Sequence, residues 1–275
     1  MSGATVGVVT GAGRGMGLAC ARRMALTVDT LVVVDRDVEN LEGVVKELGA
    51  QAEIVPLAID IGDRAAVAQL EVVAEHGDLR GIAHAAGVSP TMAAWQTIFE
   101  VDLIGTALVI EALTPFVTEG TAAVCFASMA AHLMAANTTV DPKIDAVLDD
   151  PLGEGFLDAL RSAVGPDIED SGLAYAWAKR GVHRFVRRTA VPWGRRGARI
   201  CSISPGMIDT PQGRQEAAAQ PAMTMMLEHT PLGRFGTAEE LAAVVAFALS
   251  DEASFLTGTD LLVDGGVCAA IAGLK

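Results

Sequence analysis

The chain has 275 residues, and its 20 lysines and arginines against 34 aspartates and glutamates give it a formal net charge of −14. This acidic balance excludes the basic surface that nucleic-acid recognition needs, while a hydrophobic share of 51% allows a large core and excludes global disorder. The longest uninterrupted apolar run, at 241–249, is far shorter than the roughly 18 residues of a membrane span, and no export signal opens the chain, so we expect a cytoplasmic protein with no membrane partner.

Short runs rich in valine and isoleucine alternate with longer helical patterns along the chain. Strands are predicted at 6–10, 31–34, 53–58, 81–85, 122–127, 199–203 and 261–263. Helices are predicted at 18–26, 38–48, 64–75, 94–113, 176–190 and 239–249. Because the strand runs are almost continuously apolar, both faces of their sheet should be covered by helices. The pattern predicts one α/β domain over 1–275, built on a doubly wound parallel sheet of about seven strands.

One segment interrupts this alternation. Residues 132–172 hold nine acidic and two basic residues, and hence half of the net charge of the chain. Asp141 as N-cap with Pro142 behind it predicts one short amphipathic helix, and a second should end at Gly165. We expect the acids to face outward and the apolar stripe to cover another part of the protein. A surface excursion without function is the alternative, although segments of this length are usually functional.

The first predicted strand leads into a glycine-rich loop, Thr10-Gly11-Ala12-Gly13-Arg14-Gly15-Met16-Gly17, which a helix follows. Glycines there let the backbone approach a pyrophosphate at the helix N-terminus, although a plain turn with positive φ would also use them. The second strand ends in Asp35, whose carboxylate would accept hydrogen bonds from the ribose hydroxyls and repel a 2′-phosphate. NAD is therefore favoured over NADP, while Arg14 and Arg36 could still reach towards a 2′-phosphate.

A Tyr–Lys pair gives a second chemical signal. Tyr175 is the only tyrosine of the chain, and Lys179, one of four lysines, follows it by four residues. At this spacing on a helix the two side chains share a face, and an ammonium beside a phenol lowers its pKa towards the range of a general acid/base. The alternative is a pair that only lines a helix surface.

Further motifs follow in chain order: Asp60, His84-Ala85-Ala86-Gly87, Ser128, Tyr175-Ala176-Trp177-Ala178-Lys179, Ser204-Pro205-Gly206 with Thr210, and a tail at 257–266. With the glycine loop, they resemble the short-chain dehydrogenase/reductase family over essentially the whole chain. The resemblance implies a Rossmann-type fold and reversible hydride transfer between a nicotinamide and an alcohol/ketone pair.

The resemblance also implies roles for individual residues. Tyr175 would be the general acid/base, Lys179 would lower its pKa and hold the nicotinamide ribose, and Ser128 would hydrogen-bond the substrate oxygen. Two hydroxyl donors there would stabilise the charge that develops on that oxygen. The expected cofactor-binding residues are Thr10, Gly11, Arg14, Gly15, Met16, Gly17, Asp35, Arg36, Asp60, Ile61, Ala85, Ala86, Gly87, Tyr175, Lys179, Pro205, Gly206, Ile208 and Thr210.

Two positions depart from the pattern of the family. His84 stands where relatives have a structural Asn that bonds across the sheet, so that either the imidazole substitutes or the strands repack. Asp102 stands where relatives have the Asn that anchors a water chain leading protons to the lysine. An ionised carboxylate can accept from such a water but cannot donate. We expect Asp102 to act in catalysis by keeping this relay, and a broken relay is the alternative.

The substrate is expected to be lipophilic. The segment before Tyr175 resembles that of the 3α-hydroxysteroid dehydrogenase/carbonyl reductase subgroup, and six methionines are assigned to the substrate side: Met129, Met134, Met207, Met223, Met225 and Met226. Flexible thioethers around a substrate loop at 206–232 suit an irregular apolar ligand, steroid-like or terpenoid-like. The alternatives are a 3-oxoacyl thioester reductase, which Asp35 and the acidic surface disfavour, and a catalytically idle nucleotide-binding sensor or scaffold.

Two further expectations concern assembly and metals. The family commonly pairs long helices between subunits, so the helices at 94–113 and 176–190 should support a homo-oligomer, either a dimer or a tetramer. The cysteines (Cys20, Cys125, Cys201 and Cys268) and the five histidines are widely scattered along the chain. No metal site is predicted, and the cysteines are expected to be buried reduced thiols.

Overall fold

The computed structural model describes residues 3–137, 141–219 and 221–273. Residues 138–140 of the acidic segment, residue 220 of the substrate loop and the outermost residues of the predicted 1–275 domain lie outside the described residues. Within these ranges, no helix combines the length and the apolar character needed to cross a bilayer. Three of the cysteines are buried, the fourth is half-buried, and all four are free thiols.

Seven parallel strands form the central sheet of the described chain, as predicted. They are β1 (Thr5–Thr10), β2 (Thr30–Asp35), β3 (Glu53–Ala58), β4 (Asp78–His84), β5 (Ala122–Phe126), β6 (Arg199–Pro205) and β9 (Asp260–Val263). Two further strands, β7 (Ile208–Asp209) and β8 (Gly236–Thr237), pair only with each other. The order across the sheet is β3-β2-β1-β4-β5-β6-β9. The winding direction thus reverses between β1 and β4, and in such sheets ligands bind above the carboxyl ends of the strands at that point.

Helices cover both faces, which confirms the predicted α/β class. They are α1 (Gly15–Met24), α2 (Val38–Leu48), α3 (Arg64–Val67), α4 (Val73–His76), α5 (Trp95–Phe99), α6 (Gly105–Leu113), α7 (Met129–Asn137), α8 (Pro142–Leu148), α9 (Phe156–Val164), α10 (Ser171–Gly194), α11 (Pro211–Ala219), α12 (Pro221–His229), α13 (Ala238–Leu249) and α14 (Val267–Gly273). Helices α1, α2 and α13 enclose the core on one face, and α5, α6 and α10 enclose it on the other. The predicted helix at 94–113 contains a π-helical turn at Glu100–Ile104, between α5 and α6.

The acidic segment forms the two short helices that its sequence predicts. Asp141 caps α8 by accepting the Lys143 backbone N–H at 2.8 Å, and α9 ends at Gly165, whose φ is +86°. The apolar stripe of these helices is buried in the main core, where the rings of Phe156 and Phe99 meet edge to face with centroids 6.0 Å apart. What the stripe covers is therefore the α5–α10 side of the domain.

The prediction that the acids of this segment face outward is wrong for two of them. Asp145 accepts two hydrogen bonds from Arg180 of α10, both at 2.8 Å, and Asp149 accepts two from Arg184, both at 2.7 Å. These four side chains are 18–27% exposed. Asp145 of α8 and Asp149, the C-cap residue of α8, are four residues apart, as are the two arginines of α10, so acidic and basic side chains face each other with matching spacing.

Candidate active site

The glycine loop packs tightly between β1, α1 and the residues after β4. Gly11 has a φ of +64°, and a Cβ there would lie 2.8 Å from the backbone N of Ala86. A Cβ on Gly17 would lie only 2.0 Å from the Gly11 carbonyl oxygen. Both positions therefore accept only glycine. The N-terminus of α1 follows directly after the loop, and its backbone N–H groups can stabilise an anion there.

A crevice above the carboxyl ends of β1, β2 and β4, which we call the glycine-loop crevice, gathers most of the predicted cofactor-binding residues. It is lined by Gly11, Arg14, Gly15, Met16, Gly17, Asp35, Arg36, Asp60, Ile61, Ala85, Ala86, Gly87 and Thr210, among others. Asp35 is held at its edge because its carboxylate accepts the backbone N–H groups of Gly13 at 2.9 Å and of Asp37 at 3.2 Å. Arg14 and Arg36 are exposed on the rim of the same crevice.

A second cavity continues from this crevice, and we call it the Tyr175 pocket. Its lining includes Ser128, Tyr175, Lys179, Pro205, Gly206, Ile208 and Thr210, while Met16, Ala85, Gly87 and Val88 belong to both cavities. The remaining predicted site residues thus meet here, except Asp102 and Thr10. Lys179 is buried, lies with its Nζ 5.4 Å from the ring centroid of Tyr175, and donates a hydrogen bond to the Phe126 carbonyl at 3.1 Å.

The electrostatic surroundings of Tyr175 differ from the prediction. Burial raises the pKa of the phenol, the carboxylates of Asp102 and Glu216 raise it further, and a hydrogen bond with Ser128 opposes them in part. The Tyr–Lys spacing alone predicted a lowered pKa. The direction is reversed because the phenol is enclosed and faces two carboxylates, neither of which the spacing reveals.

Asp102 lies behind the pocket and contacts Lys179. It sits in the π-helical turn, is fully buried, and accepts the Val88 backbone N–H on Oδ1 at 2.9 Å, with Lys179 Nζ 3.5 Å from the same oxygen. Its Oδ2 makes no hydrogen bond with the described residues. Burial raises the pKa of this carboxyl, although Lys179 opposes the shift. A Cβ on Gly87 would lie 2.7 Å from Asp102 Oδ1, so the pair leaves no space for a side chain there.

His84 makes the bonds across the sheet that its position requires. Its Nδ1 lies 2.8 Å from Thr10 Oγ1, and its Nε2 lies 3.0 Å from Thr106 Oγ1. Thr106 donates its own proton to the Asp102 carbonyl at 2.7 Å, so it accepts from Nε2–H, and Nδ1 accepts from Thr10. Burial, with the positive charge of Lys179, lowers the pKa of His84 to about 3, which keeps the ring neutral. Thr10, predicted to bind the cofactor, is itself buried below the crevice with its hydroxyl engaged by His84.

The substrate side of the Tyr175 pocket is mostly apolar. Met129, Met207, Met223 and Met226 line it together with Phe235. Two of the six predicted methionines lie elsewhere: Met134 packs into the main core, and Met225 is 56% exposed.

Sequence reasoning missed one charged residue of the pocket, Glu216 of α11. This carboxylate lines the Tyr175 pocket, interacts with the Ser89 hydroxyl, and has a pKa that burial raises. Glu216 is a single glutamate on a short helix and belongs to no motif of fixed spacing, so no sequence pattern identified it as a site residue.

Comparison with known proteins places the chain among related sequences and structures. Residues 5–140 match the family model described as short chain dehydrogenase, and residues 159–268 match one described as enoyl-(acyl carrier protein) reductase. The short-chain dehydrogenase/reductase bsc3 of Alternaria brassicicola is 32% identical over 95% of both chains. Levodione reductase of Leifsonia aquatica is 30% identical over 96% of this chain and 94% of its own. A crystal structure of levodione reductase matches with a TM-score of 0.72 at 28% identity, covering 97% of this chain and 98% of that one.

Proposed function

The chain belongs to the short-chain dehydrogenase/reductase family, and from this premise we propose that it interconverts a secondary alcohol and a ketone on a lipophilic substrate with NAD(H). Proteins of this family are oxidoreductases that use NAD or NADP. The observation that carries the proposal is the convergence of Ser128, Tyr175 and Lys179 on one pocket that opens directly into the glycine-loop crevice.

The residues of the crevice fit a dinucleotide. The glycines at 11 and 17 leave the loop free for close backbone approach, and the N-terminus of α1 favours a pyrophosphate. When bound, the nicotinamide supplies or accepts the hydride. Asp35 supports NAD as the preferred form, because its fixed carboxylate suits ribose hydroxyls and repels a 2′-phosphate.

Tyr175 and Ser128 are proposed to act on the substrate oxygen. Both hydroxyls can donate to an oxygen that gains charge as a ketone is reduced. A raised pKa keeps the Tyr175 phenol protonated at neutral pH, so it is poised to donate its proton in the direction of ketone reduction. In the direction of alcohol oxidation the same group must lose its proton first.

Asp102 is proposed to keep the proton relay behind Lys179. Its Oδ1 lies 3.5 Å from the ammonium, and its Oδ2 is a buried acceptor without a hydrogen-bond partner among the described residues. An acceptor so placed can hold a water that passes protons to Lys179. Lys179 itself is anchored by the Phe126 carbonyl, which fixes the end of the relay next to Tyr175.

The proposed substrate is an alicyclic secondary alcohol or ketone of the steroid-like or terpenoid-like kind. The adaptable methionine wall of the pocket supports this class, as does the resemblance of the acidic segment to the 3α-hydroxysteroid dehydrogenase/carbonyl reductase subgroup. A relative from Sinomonas cyclohexanicum, 29% identical over 96% of both chains, is named cis-4-hydroxycyclohexanecarboxylate dehydrogenase. Glu216 adds one polar contact, suited to a hydroxyl away from the reacting carbon.

The proposal is tested by binding and turnover together. Fluorescence titration with NADH and NADPH should give tighter binding of NADH, and a screen with cyclohexanol, borneol and androsterone should yield NAD-dependent oxidation of at least one probe. Tyr175→Phe should abolish turnover and leave NADH binding intact, whereas Met225→Leu, at an exposed position of α12, should change neither. Turnover that survives in Tyr175→Phe would overturn the assignment of Tyr175 as the general acid/base. If the variant without turnover still fulfils the function of the protein in the cell, a sensor or scaffold is supported instead.

A 3-oxoacyl thioester reductase is the second candidate. A relative from Thermotoga maritima, 26% identical over 94% of this chain and 96% of its own, is named 3-oxoacyl-(acyl-carrier-protein) reductase and favours it. The net charge of −14 and Asp35 disfavour it, because an acidic carrier and NADPH both need positive charge at their binding sites. Reduction of acetoacetyl-CoA with NADPH, at a higher kcat/KM than any alicyclic probe with NAD(H), would decide for this candidate.

We further propose that the chain forms a homo-oligomer. One side of α10 is already paired with α8 through Arg180 and Arg184, so subunit contacts through the helix at 176–190 must use its remaining surface. Size-exclusion chromatography with light scattering should give the mass of a dimer or a tetramer, and the mass of one chain would contradict this proposal.

A further inference from the structure

Three side chains that are far apart in the sequence meet beneath α7. His132 of α7 places Nε2 2.7 Å from Asp260 Oδ2, and His183 of α10 places Nε2 3.1 Å from Asp260 Oδ1. The ligand atoms of all three residues lie within 4.8 Å of one another. The residues come from two helices and the edge strand β9, so the tertiary fold alone creates the cluster.

The cluster is centred on a buried carboxylate. The Asp260 side chain is only 5% exposed, and its ion-pair partners among the described residues are the two imidazoles. A cation bound by the two imidazoles and this carboxylate would offset the cost of burying the negative charge of Asp260.

We propose that His132, His183 and Asp260 bind a divalent transition metal of the zinc type. Two imidazole nitrogens and a carboxylate oxygen form a donor set that Zn²⁺ prefers, with bonds of about 2.0–2.2 Å and neighbouring ligand atoms about 3.3 Å apart. The two imidazole–carboxylate separations of 2.7 and 3.1 Å reach that spacing when each side chain moves by a few tenths of an ångström, and the two imidazole nitrogens lie within 4.8 Å of each other.

The surroundings of the cluster suit a bound metal. Ser202 donates to Asp260 Oδ1 at 2.6 Å and orients the carboxylate, as groups around metal sites commonly do. Ser204 Oγ lies 2.8 Å from His183 Nε2, within reach as a further oxygen ligand. The His132 side chain is 34% exposed, which provides a route of entry and space for a water ligand.

The metal would be structural, because none of its three ligands lines the Tyr175 pocket. It would tie α7, which begins one residue after Ser128, to α10, which carries Tyr175 and Lys179, and both to β9. The metal would thus hold the segments that carry Ser128, Tyr175 and Lys179 in fixed positions relative to one another. This inference is independent of the substrate and of the reaction direction.

The test uses the full chain without an affinity tag, stripped with a chelator and dialysed against ZnCl2 or CoCl2 near neutral pH. We expect about one equivalent of Zn²⁺ retained per chain, a higher melting temperature with Zn²⁺, and visible absorption bands with Co²⁺. His132→Asn should weaken Zn²⁺ binding by more than about 100-fold, since changes even outside the ligand set cost about 10- to 100-fold. The matched control is His229→Asn, because His229 is exposed on α12 and outside the cluster.

Two outcomes would overturn the proposal. One is equal retention of Zn²⁺ by the parent and His132→Asn, and the other is a melting temperature of the parent that Zn²⁺ does not change. His132→Cys keeps the test decisive if the asparagine variant folds poorly, because a thiolate ligand should restore binding and add a strong near-ultraviolet charge-transfer band with Co²⁺. A folded His132→Cys protein without that band would contradict the site.

Discussion

An alanine at position 87 would press directly on the pair formed by Asp102 and Lys179. Its Cβ would lie 2.7 Å from Asp102 Oδ1 and 3.4 Å from Lys179 Nζ. Ordinary contact begins at about 3.4 Å, so the carboxylate must retreat by about 0.7 Å. Gly87 has no positive φ, and the cost of Gly87→Ala is therefore steric rather than a matter of backbone strain.

The size of the effect follows from the geometry. Overpacking of a buried site costs about 1–3 kcal/mol in the free energy of unfolding. Lengthening the 3.5 Å ion pair by the same displacement weakens its Coulomb attraction by about 1 kcal/mol at an effective dielectric constant of about 20. Together these give about 2–4 kcal/mol, which lowers the melting temperature by roughly 5–15 °C in a protein of this size. Weakening the contact between Asp102 and Lys179 by about 1 kcal/mol should also lower kcat by about fivefold, since about 1.4 kcal/mol corresponds to a factor of ten.

Thermal unfolding and steady-state kinetics measure both effects. The control is Gly43→Ala, because Gly43 is exposed on α2 with no atom within 4 Å of the added Cβ, and the exchange should stabilise the helix by up to about 1 kcal/mol without changing turnover. Asp102→Ala removes the oxygen that clashes, so adding Gly87→Ala to it should cost little further stability. An undiminished cost of Gly87→Ala in that background would refute the reasoning.

Other changes give distinct outcomes. Asp102→Asn should keep kcat within a few-fold while Asp102→Ala loses about tenfold or more, and a large gain in the asparagine variant would mean that the relay of the parent is broken. Alcohol oxidation needs the Tyr175 phenolate, whose pKa is raised, so kcat/KM for oxidation should climb from neutral into alkaline pH. Glu216→Gln removes a carboxylate that raises this pKa and should move the pH profile to lower pH. An unmoved profile would contradict the electrostatic effect of Glu216 on Tyr175. Asp149→Asn should cost about 1–2 kcal/mol, less at high salt, because a neutral amide can accept only one of the two hydrogen bonds from Arg184 and carries no charge to pair with it; equal urea midpoints would exclude this.

Local patterns were sufficient to predict most of the fold. The strand β3 and the helix α2 have the predicted bounds, because a continuous apolar run or a clear helical period specifies each without help from the rest of the chain. The helix predicted at 239–249 is present as α13, which a capping box of Thr237 and Glu240 opens. The pairing of Asp145 and Asp149 with Arg180 and Arg184 was missed, although the two aspartates and the two arginines each show a four-residue spacing in the sequence. Recognising it requires knowing that the two helices are neighbours.

The candidate site likewise contains some features that local sequence patterns predict and others that only the tertiary fold creates. The glycine loop and the Tyr–Lys spacing are local, and the structure brings their residues to one pair of connected cavities. The direction of the pKa shift of Tyr175 was beyond the sequence, because it depends on enclosure and on Glu216, which arrives from a distant helix. The meeting of His132 and His183 with Asp260 is of the same kind, since residues 51 and 77 positions apart leave no local pattern.

The neutral imidazole at position 84 gives the two cavities a common mechanical support. Thr10, at the start of the glycine loop, bonds to one ring nitrogen, and Thr106, which holds the Asp102 carbonyl, bonds to the other. A shift of either end is thus transmitted through three short contacts to the other. A substitution at this ring should therefore disturb both the glycine loop and the position of Asp102, although the ring itself lines neither cavity.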